Sequence, residues 1–415
     1  MTEVGRRAEK IAIELLAGFR ALVVNGPRQA GKSTLVQRIQ SGRGDVFNLD
    51  DAALLDRAVN DPTGFLAQLP ESVAIDEFQR GGDPLLLALK VRVDGSREPG
   101  QYLLAGSTRF LTTRRLSETM TGRVGILDLL PLSAGEIRGV RETFIERAFE
   151  GGSELGIGAE RIDRVEYAQM IAAGGFPELV LGSHAQRFRT AWCDSYVQTV
   201  TAVANLEQVA EVRRPRAMID LLGQAAARSA GEVVHSDLAR EVVVDEGTIR
   251  SYLDVLSTLY LLRLHPAWST SSTNRAKKRP KLHFVDTALA AHLIGVTGDQ
   301  LAELDSPWFG PLLESYVAAE LSKQASWSER PVKLSHYRDR DQREVDLILE
   351  RGREIVGIEV KASASPTARH AKHLAYLRDR LGARFKSGIV LHTGTHVTPL
   401  GDRLIAVPVS ALWAS

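Results

Sequence analysis

Val23-Val24-Asn25-Gly26-Pro27-Arg28-Gln29-Ala30-Gly31-Lys32-Ser33-Thr34 is the stretch on which the reading of this chain turns. It contains G-x-x-x-x-G-K-S, the pattern of a phosphate-binding loop. Ala21 to Val24 read as a short buried strand ahead of it, and Leu35, Val36 and Ile39 carry helical spacing behind it. That strand–loop–helix setting is what the motif requires. Gly26 and Gly31 let the backbone bend around a phosphate with no Cβ in the way. Backbone N–H groups at the start of the helix, and its dipole, favour negative charge there. Gly26, Pro27, Arg28, Gln29, Ala30, Gly31, Lys32, Ser33 and Thr34 are therefore expected to hold a nucleotide. Lys32 would reach the β- and γ-phosphates, and the Ser33 hydroxyl would hold Mg²⁺. A plain glycine turn does not explain a Lys and a Ser at those offsets.

Such a loop needs an acidic partner for the metal. Ser72-Val73-Ala74-Ile75-Asp76-Glu77 is a short apolar strand ending in two carboxylates. Asp76 is expected behind the Mg²⁺, through water, and Glu77 is expected to orient and deprotonate an attacking water. Phosphoryl transfer is mostly positioning and charge stabilisation, so these roles complete the chemistry. A third strand, Tyr102 to Gly106, ends in Ser107-Thr108-Arg109, and Ser107 or Thr108 is placed to sense a γ-phosphate. Arg123 is the candidate cation for the transition state, from its own chain or from a neighbour. An oligomer is therefore left open.

The rest of the composition narrows the class. A chain of 415 residues exceeds one core of ordinary size. A formal net charge of +1 exerts no global pull toward nucleic acid or membrane. The single cysteine, Cys193, forbids an internal disulfide, reads as a small apolar residue on a helix, and suits a cytoplasmic address. No apolar run approaches the ~18 residues of a membrane span, and the first residues lack the apolar stretch of a signal peptide.

The pattern predicts an α/β multidomain chain. Residues 1–138 alternate strand and helix and imply a parallel sheet with helices on its faces. Residues 139–215 read as a linker, loop-like from Gly139 to Ile162, followed by a helical lid segment turning at Gly174-Gly175-Phe176-Pro177-Glu178. Residues 216–290 read as a winged helix. Ser236 is expected to cap a short helix, Asp237 to Glu241, and Asp245 a longer one carrying Ile249, Leu253, Leu256 and Leu259. Leu261 to His265 and Lys281 to Val285 would form the wing. The exposed side of the last helix carries Asp245, Glu246 and Asp254 against Arg250, which would repel phosphates. The basic loop Arg275 to Lys281 could grip a nucleic-acid backbone or be an ordinary solvated loop.

Residues 291–415 hold a second constellation. Glu344 to Glu350 and Ile355 to Lys361 read as two strands of a hairpin. If Glu350 pairs with Ile355, Asp346 faces Glu359 and Glu344 faces Lys361. Opposed side chains lie about 5 Å apart at Cβ, so the facing carboxylates need a cation between them. A divalent metal held by Glu314, Asp346 and Glu359 would serve, with Lys361 beside it. A charged sheet face held by Glu–Lys pairs is the alternative.

The order Glu314, Asp346, Glu359-x-Lys361 resembles the PD-(D/E)xK nuclease-like superfamily. There the acids bind Mg²⁺ and the lysine helps activate water for attack on a phosphodiester. As a whole the chain resembles prokaryotic AAA-type P-loop ATPases joined to a C-terminal domain of unknown function, number 4143. The carriers are Gly26 to Ser33, Ile75-Asp76-Glu77-Phe78-Gln79, Ala105 to Arg109, Thr121-Gly122-Arg123, Gly174 to Glu178, Phe284 to Thr287 and Ile358 to Lys361. The resemblance implies Mg·ATP as cofactor and ATP hydrolysis at Lys32, Ser33, Asp76 and Glu77. Asn205-Leu206-Glu207 and the long basic wing loop depart from the family pattern. Three functions are compatible: an ATPase that drives or gates the C-terminal module, an ATP-dependent nuclease acting on DNA or RNA, and a nucleotide-switched module that selects a protein partner.

Overall fold

The protein is described by a computed structural model, which places residues 4–107, 122–151, 154–202, 212, 214–269 and 278–414. Thr108, Asn205 to Glu207 and Arg275 to Lys277 lie outside the described residues.

The first sheet has five parallel strands. β1 (Ala21–Asn25), β2 (Asp45–Asn48), β3 (Val73–Asp76), β4 (Tyr102–Gly106) and β5 (Val124–Asp128) stand in the order β2-β3-β4-β1-β5. β1, β3 and β4 are buried along their whole length, as strands covered on both faces must be. Two apolar clusters sandwich this sheet. One gathers around Phe65, Phe78 and Leu104; the other around Leu16, Leu35 and Leu127. Nucleotides bind at the carboxyl ends of parallel strands, and here β1 and β3 are followed directly by Gly26 and Glu77.

The middle of the chain is helical, then forms a small wing of β6 (Leu262–His265) against β7 (Lys281–Phe284), antiparallel. The helices Pro215–Ala227, His235–Val242 and Glu246–Thr258 precede it, and Asp245 caps the last as expected, accepting from Thr248 N. The short helix starts earlier than expected, at His235, with Val234 rather than Ser236 at its cap.

The second large sheet is mixed and six-stranded, in the order β12-β13-β11-β10-β9-β8. Its strands are β8 (Lys333–Arg338), β9 (Glu344–Arg351), β10 (Glu354–Lys361), β11 (Phe385–His392), β12 (Thr398–Gly401) and β13 (Leu404–Pro408). The β9–β10 hairpin has the expected register, with Ile355 opposite Glu350 and Ile358 opposite Leu347. Helix Phe309–Ser326 lies against it and is buried almost throughout.

Within residues 139–162, expected as a loop or flexible linker, Phe144–Phe149 is instead a helix with Phe144, Ile145, Ala148 and Phe149 buried. The other described residues there are turns and irregular backbone, but Leu155 and Ile162 among them are buried. A Cβ on Gly156 would lie 2.5 Å from the Val397 side chain, so the segment packs tightly on the C-terminal sheet. The pattern was missed because this helix has fewer than two turns. One apolar cluster runs from Ala134 to Trp413 and joins the helical middle to the C-terminal sheet.

Candidate functional site

The loop Gly26 to Gly31 joins β1 to the helix Lys32–Gln40. A Cβ on Gly26 would lie 2.2 Å from the Leu129 carbonyl oxygen, so only glycine passes there. Gln29 (φ 60°) and Gly31 (φ 90°) take left-handed backbone, which turns the loop into the helix N-terminus. Arg6 braces this turn. It donates to Ala30 O at 2.7 Å, to Leu130 O at 2.6 Å and to Glu136 at 3.1 Å. Sequence reasoning gave Arg6 no role because all three partners are distant or on the backbone.

Lys32 is buried, and its ammonium donates to Gly26 O at 3.1 Å and Pro27 O at 2.8 Å. Burial lowers its pKa to about 8, against the upward pull of Glu77 and Asp76. Both carboxylates therefore lie within electrostatic reach of the loop lysine. Asp76 is buried at the end of β3, and its Oδ1 accepts from Glu77 N at 2.9 Å. Glu77 itself sits at φ 51°, a left-handed conformation that costs a non-glycine residue on the order of 1 kcal/mol. Its carboxylate accepts from Gln79 Nε2, which also donates to Ser107 Oγ at 3.1 Å. Gln79 thus ties the expected water-activating acid to the expected sensor at the end of β4. It stands in the quoted Ile75-to-Gln79 run, but its role was not read.

Lys32, Glu77 and Gln79 open onto a cavity of about 1130 Å³. Arg28, Gln29, Gly31, Lys32, Ser33, Thr34, Glu77 and Gln79 form one side. Pro177, Leu181, Trp192, Ser195, Tyr196 and Thr199, from the lid helices, form the other. Trp192 stacks on Tyr196 at 5.1 Å, and both rings meet Phe176. Helical spacing alone did not mark this wall. Cys193, on the same helix, is buried, and burial raises its thiol to about 12, which leaves it inert as expected.

Arg123 is not at this cavity in its own chain. β5 runs parallel to β1 with Val124 opposite Ala21, so Arg123 lies at the end of the sheet where the strands begin. That is roughly 13 Å of strand from the loop. It pairs with Asp94 at 2.9 Å. The cis role is corrected on this ground; a contribution would have to come from a second copy.

The cavity also touches the rest of the molecule. Leu132 lines it, and Leu132 O accepts from Lys323 Nζ at 2.9 Å. Lys323 pairs with Glu320 at 2.7 Å, and Glu320 accepts from Ala134 N at 2.8 Å. Leu132 N donates to Gly175 O at 2.7 Å, and Gly175 N donates to Asp286 Oδ2 at 2.7 Å. A Cβ on Gly174 (φ 65°) would meet Asp286 Oδ1 at 1.9 Å. The Gly174-Gly175-Phe176-Pro177 turn is therefore pinned between the loop after β5, the wing and the helix Phe309–Ser326.

At the C-terminal constellation the structure brings Glu314, Asp346, Glu359 and Lys361 together but adds a residue the sequence did not offer. Lys281, the first residue of β7, places its ammonium 2.8 Å from Glu314, 2.7 Å from Glu344 and 3.2 Å from Asp346. The cation expected between the carboxylates is thus supplied by the wing. Burial opposes its charge, but Glu314, Asp346 and Glu344 outweigh it and raise the Lys281 pKa. Lys361 pairs with Glu359 at 2.6 Å, and Asp346 Oδ2 accepts from Val360 N at 2.9 Å. Burial, then Asp346, pushes the Glu314 and Glu359 carboxyls up to about 8. Among the described residues no group of three or more His, Cys, Asp or Glu side chains is arranged to hold a metal ion. Of the expected ligands, Glu314 and Asp346 instead contact the Lys281 ammonium, and Glu359 pairs with Lys361.

Comparison with known proteins agrees with the sheet and the loop. Residues 18–138 match the family model of an AAA domain. The chain carries an AAA-type P-loop domain. Residues 164–300 match a domain of unknown function (DUF8612), and residues 309–412 another (DUF4143). An uncharacterized protein of Mycobacterium tuberculosis is 28% identical over 393 residues, covering 94% of this chain and 80% of its own. An uncharacterized protein of Haemophilus influenzae is 22% identical over 381 residues, with 86% of each chain covered. Among solved structures, a Walker-type ATPase of Pyrococcus abyssi is 14% identical with a TM-score of 0.44, covering 70% of this chain and 96% of its own. The Thermotoga maritima RuvB Holliday junction branch migration motor is 17% identical with a TM-score of 0.30, covering 66% and 95%. Among the described residues no helix is long and apolar enough to cross a membrane.

Proposed function

We propose that the chain hydrolyses ATP in the cavity between the AAA-type domain and the lid helices, and that the nucleotide state is relayed to the C-terminal module. The observation that carries this reading is the meeting of a buried Lys32 with Glu77 at one cavity, with Asp76 within electrostatic reach of Lys32 and the glycine-only turn at Gly26 accepting from the Lys32 ammonium. The donor set suits the triphosphate: helix N–H groups and Lys32 for the oxygens, the Ser33 hydroxyl and Asp76 for Mg²⁺. Bound Mg²⁺ supplies charge neutralisation between the β- and γ-phosphates. Lys32 exchanges its two carbonyl partners for phosphate oxygens. Glu77, oriented by Gln79, takes the proton of the attacking water. Ser107, reached through the same Gln79, reports whether the γ-phosphate is present.

The relay would run through Leu132, which lines the cavity and accepts from Lys323, and through the adjoining Gly174–Gly175 turn, which donates to Asp286; Ala134 N and Lys323 hold Glu320 beside them. Within this reading residues 1–138 are the motor, 139–215 carry the lid, 216–290 the wing and 291–415 the responding module. A nuclease role for that module is disfavoured by Lys281, whose ammonium stands where the acids would need a divalent ion. The second reading, a nucleotide-switched module with a non-cleaving nuclease-like part, is favoured at that point.

The test is ATP turnover by the full chain. Lys32→Ala is expected to abolish hydrolysis, and Glu77→Gln to retain bound ATP while losing turnover. Normal hydrolysis by Lys32→Ala defeats the assignment. Incubation of the same protein with DNA and RNA in Mg²⁺ and Mn²⁺ is expected to leave both intact. Cleavage that disappears in Asp346→Ala would restore the nuclease.

A further inference from the structure

A second cavity, of about 680 Å³, opens where the wing meets the edge of the C-terminal sheet. Ala267 bridges to His336 on β8, and His336 Nε2 meets Arg279 O at 3.0 Å, so the wing is docked on that edge strand. Five cationic side chains from three elements converge on the opening: Lys278 and Arg279 before β7, Arg338 and Arg340 at the end of β8, and Arg380 from the helix Lys372–Leu381. Lys278, Arg279, Arg340 and Arg380 are exposed.

Several of these side chains are held in place. Arg380 donates to the Tyr337 and Tyr376 hydroxyls at 3.3 and 3.2 Å, and Lys278 donates to Arg338 O at 2.6 Å. Two carboxylates share the lining, and both are already engaged. Glu232 pairs with Arg338 at 3.2 Å, and Asp339 pairs with Arg343 at 3.0 Å. Among the described residues no carboxylate stands within ion-pair distance of Lys278, Arg279, Arg340 or Arg380. A chain with a formal net charge of only +1 thus concentrates cations in one groove. Their mutual repulsion is relieved by an anion that runs along all of them.

We propose that this groove binds the phosphodiester backbone of a nucleic-acid strand. Arginine predominates, and its planar fork matches phosphate oxygens in pairs. The Trp268 and Tyr337 rings of the lining are buried, so they form a floor rather than a surface for stacking bases. Recognition is therefore of the backbone, with little dependence on sequence. The acidic face of the helix Glu246–Thr258 lies outside this surface; its Arg250 is matched by Glu246 at 3.6 Å. The groove, not that helix, is where the winged region meets phosphate.

The experiment is fluorescence anisotropy with the full chain, without nucleotide, so that it stands apart from the ATP reading. Labelled single-stranded DNA, duplex DNA and single-stranded RNA of one length are titrated across a salt series. Binding of at least one is expected, with affinity falling as salt rises. The variant Lys278→Ala/Arg279→Ala/Arg340→Ala is expected to bind about tenfold weaker, with a log–log salt slope lower by about 2. A control removing the exposed Lys10, Arg187 and Arg216 together is expected to bind as the unaltered protein does. Both triples are checked for unchanged melting temperature. The relative affinities of the three probes identify the strand type. The proposal is overturned if none of the probes binds, if the groove variant binds normally, or if the control loses as much. It is also overturned if polyglutamate displaces the strand at equal charge concentration, which would assign the groove to an acidic protein.

Discussion

Lys281 shows how much one side chain can change a reading. Its neighbours in sequence are basic, and a basic run is usually a solvated loop. In the fold it is nearly inaccessible and touches carboxylates that lie 33, 63 and 65 positions away. No local pattern could have announced that. By contrast Lys32, Ser33, Asp76 and Glu77 were legible because a phosphate loop needs fixed offsets along one strand–turn–helix unit. Removing the Lys281 ammonium leaves three carboxylates around a buried gap, a type of loss that costs about 3–5 kcal/mol. Lys281→Met is therefore expected to lower stability by about that amount in chemical denaturation. Protonation can silence the stranded acids, so the deficit should shrink toward pH 5 and grow toward pH 9. A deficit that does not vary with pH would mean that the lysine matters only for packing.

Among elements, the wing sheet carries an acid-sensitive feature. His265 and His283 are neighbours across β6 and β7, with ring centroids 4.8 Å apart, and His336 lies close by on β8. Burial holds His265 neutral down to about pH 3 and His336 to about 4, and depresses His283 well below the usual histidine value. Above the ordinary pKa of 6.5 these rings are neutral folded or unfolded and make no difference. Between about 6.5 and 3 the unfolded chain binds more protons than the folded one, so stability falls as pH falls through that window. His265→Leu/His283→Phe is expected to lose less melting temperature between pH 7 and pH 4 than the unaltered chain. An equal loss would place the acid sensitivity elsewhere. The β6–β7 pair was visible in sequence as two short apolar runs, and the β9–β10 register followed from its turn. The helix Phe144–Phe149 was not visible, because glycines around it imitate a loop and its apolar residues face a distant sheet.

Over the whole molecule, two kinds of core coexist. The parallel sheet has its own apolar clusters, whereas from Ala134 onward one large cluster joins the helical middle to one face of the C-terminal sheet, and a smaller one around Tyr337, Ile348 and Phe385 covers the other. The junction is polar and buried: Leu132, Glu320, Lys323 and Asp286 meet at the Gly174–Gly175 turn. Lys323→Met would leave Glu320 charged without its partner and Leu132 O without its donor. It is expected to destabilise the region after residue 134 by about 3 kcal/mol, while the strands of the first sheet keep their protection in hydrogen exchange. Uniform loss of protection across both regions would show a single cooperative unit instead.

That shared interior has a practical consequence for anyone exchanging modules between homologues. Grafting only the last hundred residues of one relative onto another would transplant half of a jigsaw, since Phe149, Tyr167 and Leu289 come from far earlier in the chain yet pack among the same side chains as Leu347 and Trp413. A workable chimera would have to be joined ahead of Ala134, where the backbone crosses from one interior to the other.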